Sequence, residues 1–114
     1  MKVAVFGFTG SLPCFSHALL NVLDMNERND KAILIIEGAS AGLLPELLNT
    51  ANPFYPLFKK IVDQGYLDCV CKACASKLGT LELAKEASLP IRGDMSGHPS
   101  FKNYLDEGYT IITV

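Results

Sequence analysis

Lys31-Ala-Ile-Leu-Ile-Ile36 is an unbroken apolar run behind a single lysine, rich in branched side chains. It shows no alternation of polar and apolar positions. A strand reads this way when both of its faces are covered, which is the habit of parallel strands in α/β proteins. The run stops at Glu37-Gly38 and gives way to a small-residue turn, Ala39-Ser-Ala-Gly42. A short helix from Leu43 to Leu48 is expected beyond it.

Upstream, Lys2-Val-Ala-Val-Phe-Gly7 has the same character and makes the first strand. Between the two strands, Ser11 offers an N-cap and Pro13 a first-turn proline. Phe15, Ala18, Leu19, Val22 and Leu23 follow at the spacing of one helix face. His17, Asn21, Asp24 and Arg28 fall on the other side, and Asn29-Asp30 ends the helix. Downstream, Asn52-Pro53 interrupts helical structure, because a residue before proline avoids helical angles. Phe54, Leu57, Phe58, Ile61 and Val62 mark a further helix, stopped at Gly65. Tyr66 to Cys71 is the third strand.

A short helix then runs to Leu78 and breaks at Gly79. Another restarts at Thr80 and fades at Ser88. Ile91-Arg92 is a small fourth strand, followed by the irregular turn Gly93-Asp-Met-Ser-Gly-His-Pro99. Ser100 caps a last helix with Phe101, Tyr104 and Leu105, closed by Gly108. Tyr109-Thr-Ile-Ile-Thr-Val114 is the final strand. The order β-α-β-α(α)-β-α-β-α-β predicts right-handed crossovers and a mostly parallel sheet of about five strands, with helices on both faces. Residues 1–114 read as one three-layer α/β domain, without repeats or linkers.

The bulk numbers narrow the function. Hydrophobic residues make up 49% of the 114 and charged residues 19%, enough for a core that needs no disulfide or metal staple. The net charge is −2 with both signs dispersed, so no basic stripe awaits a nucleic acid. The apolar runs are strand-length, far below the ~20 residues of a membrane span, and the first is broken by Gly7 and Gly10. A cytoplasmic location follows as an expectation. There the four cysteines would stay reduced and be reactive, ligating or buried.

Three of those cysteines lie within six residues, in Cys69-Val-Cys71-Lys-Ala-Cys74. In an open parallel sheet the carboxyl ends of all strands share one edge, where such proteins keep their chemistry. That edge collects Glu37, Cys71 and Cys74, with Asp94 and His98 after the fourth strand, and Cys14 and His17 from the start of the first helix. Cys69 and Cys71 are two apart and point to one face. Cys71 is the last strand residue before a helix, whose N-terminus favours a thiolate by ~0.3–1 kcal/mol at exposed sites. Lys72 would add a positive charge. Together they would lower the Cys71 pKa and make it nucleophilic. Cys74, one turn on, completes a C-x-x-C spacing.

Several chemistries stay open on these residues. A thioredoxin-type motif would want a W-C-x-x-C surround and a later cis-proline strand, and neither is legible. A structural zinc site wants a second knuckle, yet a mixed site of Cys71, Cys74, His17 and His98 is conceivable. The Gly38-Ala-Ser-Ala-Gly42 turn could cradle a phosphate, but it lacks G-x-G-x-x-G and the P-loop Lys-Ser/Thr pair, so no cofactor is called for. Simple burial of the thiols is the remaining alternative.

The compact five-strand order, the glycine-rich first loop, and a third strand ending in a cysteine with a glycine eight residues on (Cys71 to Gly79) resemble the DsrE/DsrF-like family of the Tus and Dsr sulfur relays. The resemblance spans almost the whole chain and implies a DsrEFH-like, flavodoxin-like fold. It implies a cytosolic sulfur carrier or sulfurtransferase, with Cys71 as the persulfide-forming cysteine and sulfur-donor and acceptor proteins as partners. It also implies a small homo-oligomer. Cys74 would shield or resolve the persulfide, Lys72 would stabilise the thiolate, and His17 or His98 would move protons, with Glu37 and Cys14 as possible support. The chain departs from the sulfur carriers in having Cys69 and Cys74, and in Lys72-Ala-Cys74 where they carry small or apolar residues. The alternative is a non-enzymatic metal- or small-ligand-binding module built on the same Cys/His cluster.

Overall fold

The computed structural model describes residues 1–114. Five strands form one parallel sheet: β1 (Lys2–Gly7), β2 (Lys31–Ile36), β3 (Leu67–Cys71), β4 (Ile91–Arg92) and β5 (Thr110–Thr113), in the order β4-β3-β2-β1-β5. The helices are α1 (Leu12–Glu27), α2 (Leu44–Leu47), α3 (Tyr55–Asp63), α4 (Lys72–Lys77), α5 (Leu81–Glu86) and α6 (Phe101–Asp106). The expected α/β layering holds. No helix is long and apolar enough to cross a membrane.

The strand order explains how the helices divide. From β1 to β4 the chain steps one way across the sheet, so right-handed crossovers put α1 to α5 on one face. The step from β4 to β5 goes back past β3, β2 and β1, so α6 alone lands on the other face. The core divides likewise. Val3, Val5, Leu34, Ile36 and Val70 join the residues of α1 to α5, while Ala4, Phe6, Ile33, Ile35 and Cys69 meet Tyr104 of α6. Alternate residues of one strand therefore feed two cores, which is why β1 and β2 read as continuous apolar runs. Phe6 carries the thin second layer, with Phe101 and Tyr104 edge-on at 4.7 and 5.3 Å between ring centroids.

Two details differ from the sequence expectation. The turn after β2 is wound into a 3-10 helix, Gly38–Leu43, that runs directly into α2. The Ser40 hydroxyl is fully buried, 2.5 Å from the Gly7 carbonyl and 2.8 Å from that of Glu37. It ties β1 to β2 and is not free to cradle a phosphate. Ser11 does occupy the N-cap of α1, but its side chain makes no capping bond. Its own N–H donates to Thr9 Oγ1 instead.

Candidate metal centre at the carboxyl edge of the sheet

The site is assembled from three strand ends. Glu37 follows β2, Cys71 ends β3, and His98 sits in the connection from β4 to α6. Cys71 is at once the last strand residue and the N-cap of α4: its Sγ accepts the backbone N–H of Cys74 at 3.4 Å. That bond turns the chain into the helix and brings Cys74 back over Cys71. The Gly38 N–H donates to Cys74 Sγ at 3.2 Å, which links the β2 end to α4. Gly38 holds φ +63, and a Cβ there would stand 3.0 Å from the Phe8 ring.

His98 is held by its backbone. Met95 and His98 exchange N–H···O bonds of 2.8 and 2.9 Å, and the Gly97 carbonyl accepts the Ala73 N–H at 2.8 Å. Gly97 has φ +92, and a Cβ there would lie 2.9 Å from Ala73 Cβ. Glycine lets this loop lie against α4, and the imidazole then enters the site.

Its Nδ1 is 3.2 Å from Cys71 Sγ, 3.3 Å from Glu37 Oε1 and 3.7 Å from Cys74 Sγ. The four ligating atoms all lie within 4.8 Å of one another. A ring nitrogen carries one lone pair or one hydrogen, so it cannot satisfy three such neighbours by hydrogen bonding. Glu37 is 8% exposed, and its second oxygen, Oε2, is buried with no hydrogen-bond partner. Buried carboxylate oxygens ordinarily find a partner. Burial raises the Glu37 pKa, and His98 opposes the rise.

The thiols differ from the expected picture. Cys71 is wholly buried, and burial pushes its thiol up to about 12. The single N–H from Cys74 opposes this, while the Cys74 and Glu37 side chains add to it. Loss of hydration thus acts against the thiolate that the helix start was expected to favour. Lys72 is exposed and does not figure among the groups acting on Cys71. Cys74 is partly exposed and lines an open cleft of about 430 Å³ with His98.

The other proposed members do not join. Cys14 and His17 are both exposed on α1, outside the cluster. The mixed site drawn from the sequence is thus changed in one ligand: Glu37 stands where His17 was expected. Cys69 is buried on the α6 side, 3.5 Å from the Tyr104 hydroxyl, and burial pushes its thiol up to about 12. Tyr104 belongs to a network that sequence reasoning missed. Its hydroxyl donates to Asp68 Oδ2 at 2.5 Å, and Arg92 Nη1 reaches that oxygen at 3.1 Å. The one signal was Asp68, a carboxylate inside an otherwise apolar strand.

Fold and cluster together define a class: a small parallel α/β protein with a Cys-x-x-Cys, a histidine and a buried glutamate gathered at the carboxyl edge of its sheet. The chain is 35% identical over 118 aligned positions to the uncharacterized protein MJ0733 of Methanocaldococcus jannaschii, an alignment covering 98% of this chain and 94% of that one. It belongs to the family of that archaeal protein. No protein-family model matches the chain, and no solved structure matches it.

Proposed function

We propose that the protein is a metal-binding module holding one zinc-class divalent ion between Cys71, Cys74, His98 and Glu37. The observation that carries this reading is the crowding on His98 Nδ1. In a tetrahedral zinc site with Zn–S near 2.3 Å and Zn–N or Zn–O near 2.1 Å, neighbouring donors stand about 3.4–3.8 Å apart. The three contacts of Nδ1, at 3.2, 3.3 and 3.7 Å, approximate edges of such a tetrahedron. Two thiolates with an imidazole suit zinc better than magnesium or calcium, which want oxygen alone. An ion there would also engage the Glu37 carboxylate that the protein leaves half-partnered. The ion would tie β2, β3 and the β4–α6 connection at one point.

The test is metal analysis of protein purified without chelator, then reconstitution with zinc in a reducing buffer. About one equivalent per chain is expected, since free energy of metal binding and of folding are shared in such sites. Less than about 0.1 equivalent after reconstitution would overturn the reading.

A second reading comes from the resemblance to the DsrE/DsrF-like sulfur carriers, in a cytoplasmic setting and as a homo-oligomer. One observation favours it: a cysteine sulfur, that of Cys74, lies at an open cleft and accepts a backbone N–H. On this reading the persulfide would form on Cys74 rather than on the buried Cys71. Mass spectrometry after incubation with a persulfide donor decides. A gain of one sulfur lost in Cys74→Ser would support it, and a gain unchanged in both Cys71→Ser and Cys74→Ser would dismiss it.

A further inference from the structure

The lysines of this chain are nearly all engaged. Lys59, Lys60, Lys85 and Lys102 pair with carboxylates. Lys2 and Lys31 lie over the Tyr109 ring. Lys72 and Lys77 alone have no such partner, and both belong to α4, the helix that carries Cys74. Lys77 lines a cleft of about 430 Å³ together with Cys74 and His98.

The rest of the lining is small or apolar: Gly38, Ala39, Ala73 and Leu78. Leu78 is 47% exposed, a large apolar side chain left open to water. No carboxylate lines the cleft. Glu37 opens instead onto a separate depression beside Ser100 and Lys102. The volume falls in the range of small-molecule sites, which combine apolar walls with a few polar groups.

We infer that this cleft binds a small organic monoanion with an apolar body, its anionic head on Lys77 and its far end against Cys74 and His98. The inference rests on the metal-centre reading in one respect: the far end of the ligand abuts two of the proposed metal ligands. The chemistry of the walls sets the class. A free ammonium selects the negative head, the alanines and Leu78 accept a hydrocarbon chain, and the lack of a carboxylate imposes no repulsion. An inorganic phosphate would leave the apolar wall uncovered, and a second negative charge would find no second cation in the lining.

The test is a titration of the zinc-loaded protein, its zinc content measured on the same sample, with hexanoate and with hexanol, followed through backbone amide resonances. Hexanoate is expected to saturate with a Kd of about 1–10 mM, which a ligand of this size allows. The shifts should centre on Ala39, Ala73, Cys74, Lys77, Leu78 and His98. Lys77→Glu should weaken hexanoate about fivefold, the upper end for one exposed ion pair, and leave hexanol unchanged. Ala39→Phe, which fills the cleft from an exposed position, should weaken both. Shifts scattered over the surface, no saturation, or equal affinity in Lys77→Glu would overturn the inference. If the protein takes up no zinc, the metal reading fails separately, and the same titration of the zinc-free protein still decides the cleft.

Discussion

Glu37 sets one carboxylate oxygen 3.3 Å from Nδ1 of His98 and leaves its other oxygen buried without a partner. The pair joins the end of β2 to the loop between β4 and α6, two segments far apart in sequence. A neutral hydrogen-bonded pair would not need Cys71 and Cys74 to crowd the same nitrogen. A shared cation would need all four groups where they are.

Removing a thiol should therefore remove the metal. Cys71→Ser and Cys74→Ser are each expected to lower zinc affinity by at least about 100-fold, more than the 10–100-fold usual for groups that merely support a ligand. Competition with a chromophoric chelator measures this. Cys14→Ser and Cys69→Ser should bind zinc as the parent does, because Cys14 is exposed on α1 and Cys69 faces Tyr104. Loss of zinc in either of these two would count against the assigned ligand set.

Glu37→Gln separates ligation from folding. The amide is nearly isosteric but carries no charge, so zinc affinity should fall by about tenfold or more. In zinc-free protein the same change should cost little stability, because burial already disfavours the charged form of Glu37 and the amide is neutral. Thermal melts with and without zinc check both halves. Equal zinc-induced stabilisation of parent and variant would argue that Glu37 is not a ligand.

Gly97→Ala probes the loop that delivers His98. The residue has φ +92, and the added Cβ would press on Ala73 Cβ at 2.9 Å. A loss of about 1–3 kcal/mol in denaturant unfolding is expected, together with weaker zinc binding as the imidazole is pushed from the cluster. Unchanged zinc affinity would mean that the loop does not position the ligand.

Tyr104→Phe tests the opposite face. It strips the hydroxyl that joins Asp68, Arg92 and Cys69. Stability should fall by about 1–3 kcal/mol because Asp68 loses a buried donor. Zinc stoichiometry should stay at one per chain, which native mass spectrometry reads.

The fold was legible wherever burial on two faces wrote itself into a strand. Ala32 to Ile36 read as a covered parallel strand, and Phe15, Ala18, Leu19 and Val22 as a helix face. The strand ends then nominated Glu37, Cys71, Cys74 and His98 together, because a parallel sheet sends all its carboxyl ends to one edge. That rule places elements and does not set how side chains are turned. Cys14 and His17 start at the right edge but sit between the core-facing positions of α1, so helical rotation carries them to solvent. Lys72 follows the helix N-cap and points out as well. The surroundings of Cys71 were hidden for a different reason. Position in sequence reveals a helix start but not the complete burial that acts against a thiolate there. The Asp68–Arg92–Tyr104 network was invisible because Asp68 and Arg92 meet across the β3–β4 pairing and Tyr104 joins them only through the return of α6 across the sheet.

X-ray absorption at the zinc edge on reconstituted, reduced protein reads the proposed coordination shell itself. Two sulfurs at about 2.3 Å and two nitrogen or oxygen neighbours at about 2.0–2.2 Å are expected, with one sulfur lost in Cys74→Ser. A shell of oxygen and nitrogen alone, or the same two sulfurs in Cys74→Ser, would contradict a centre built from Cys71, Cys74, His98 and Glu37.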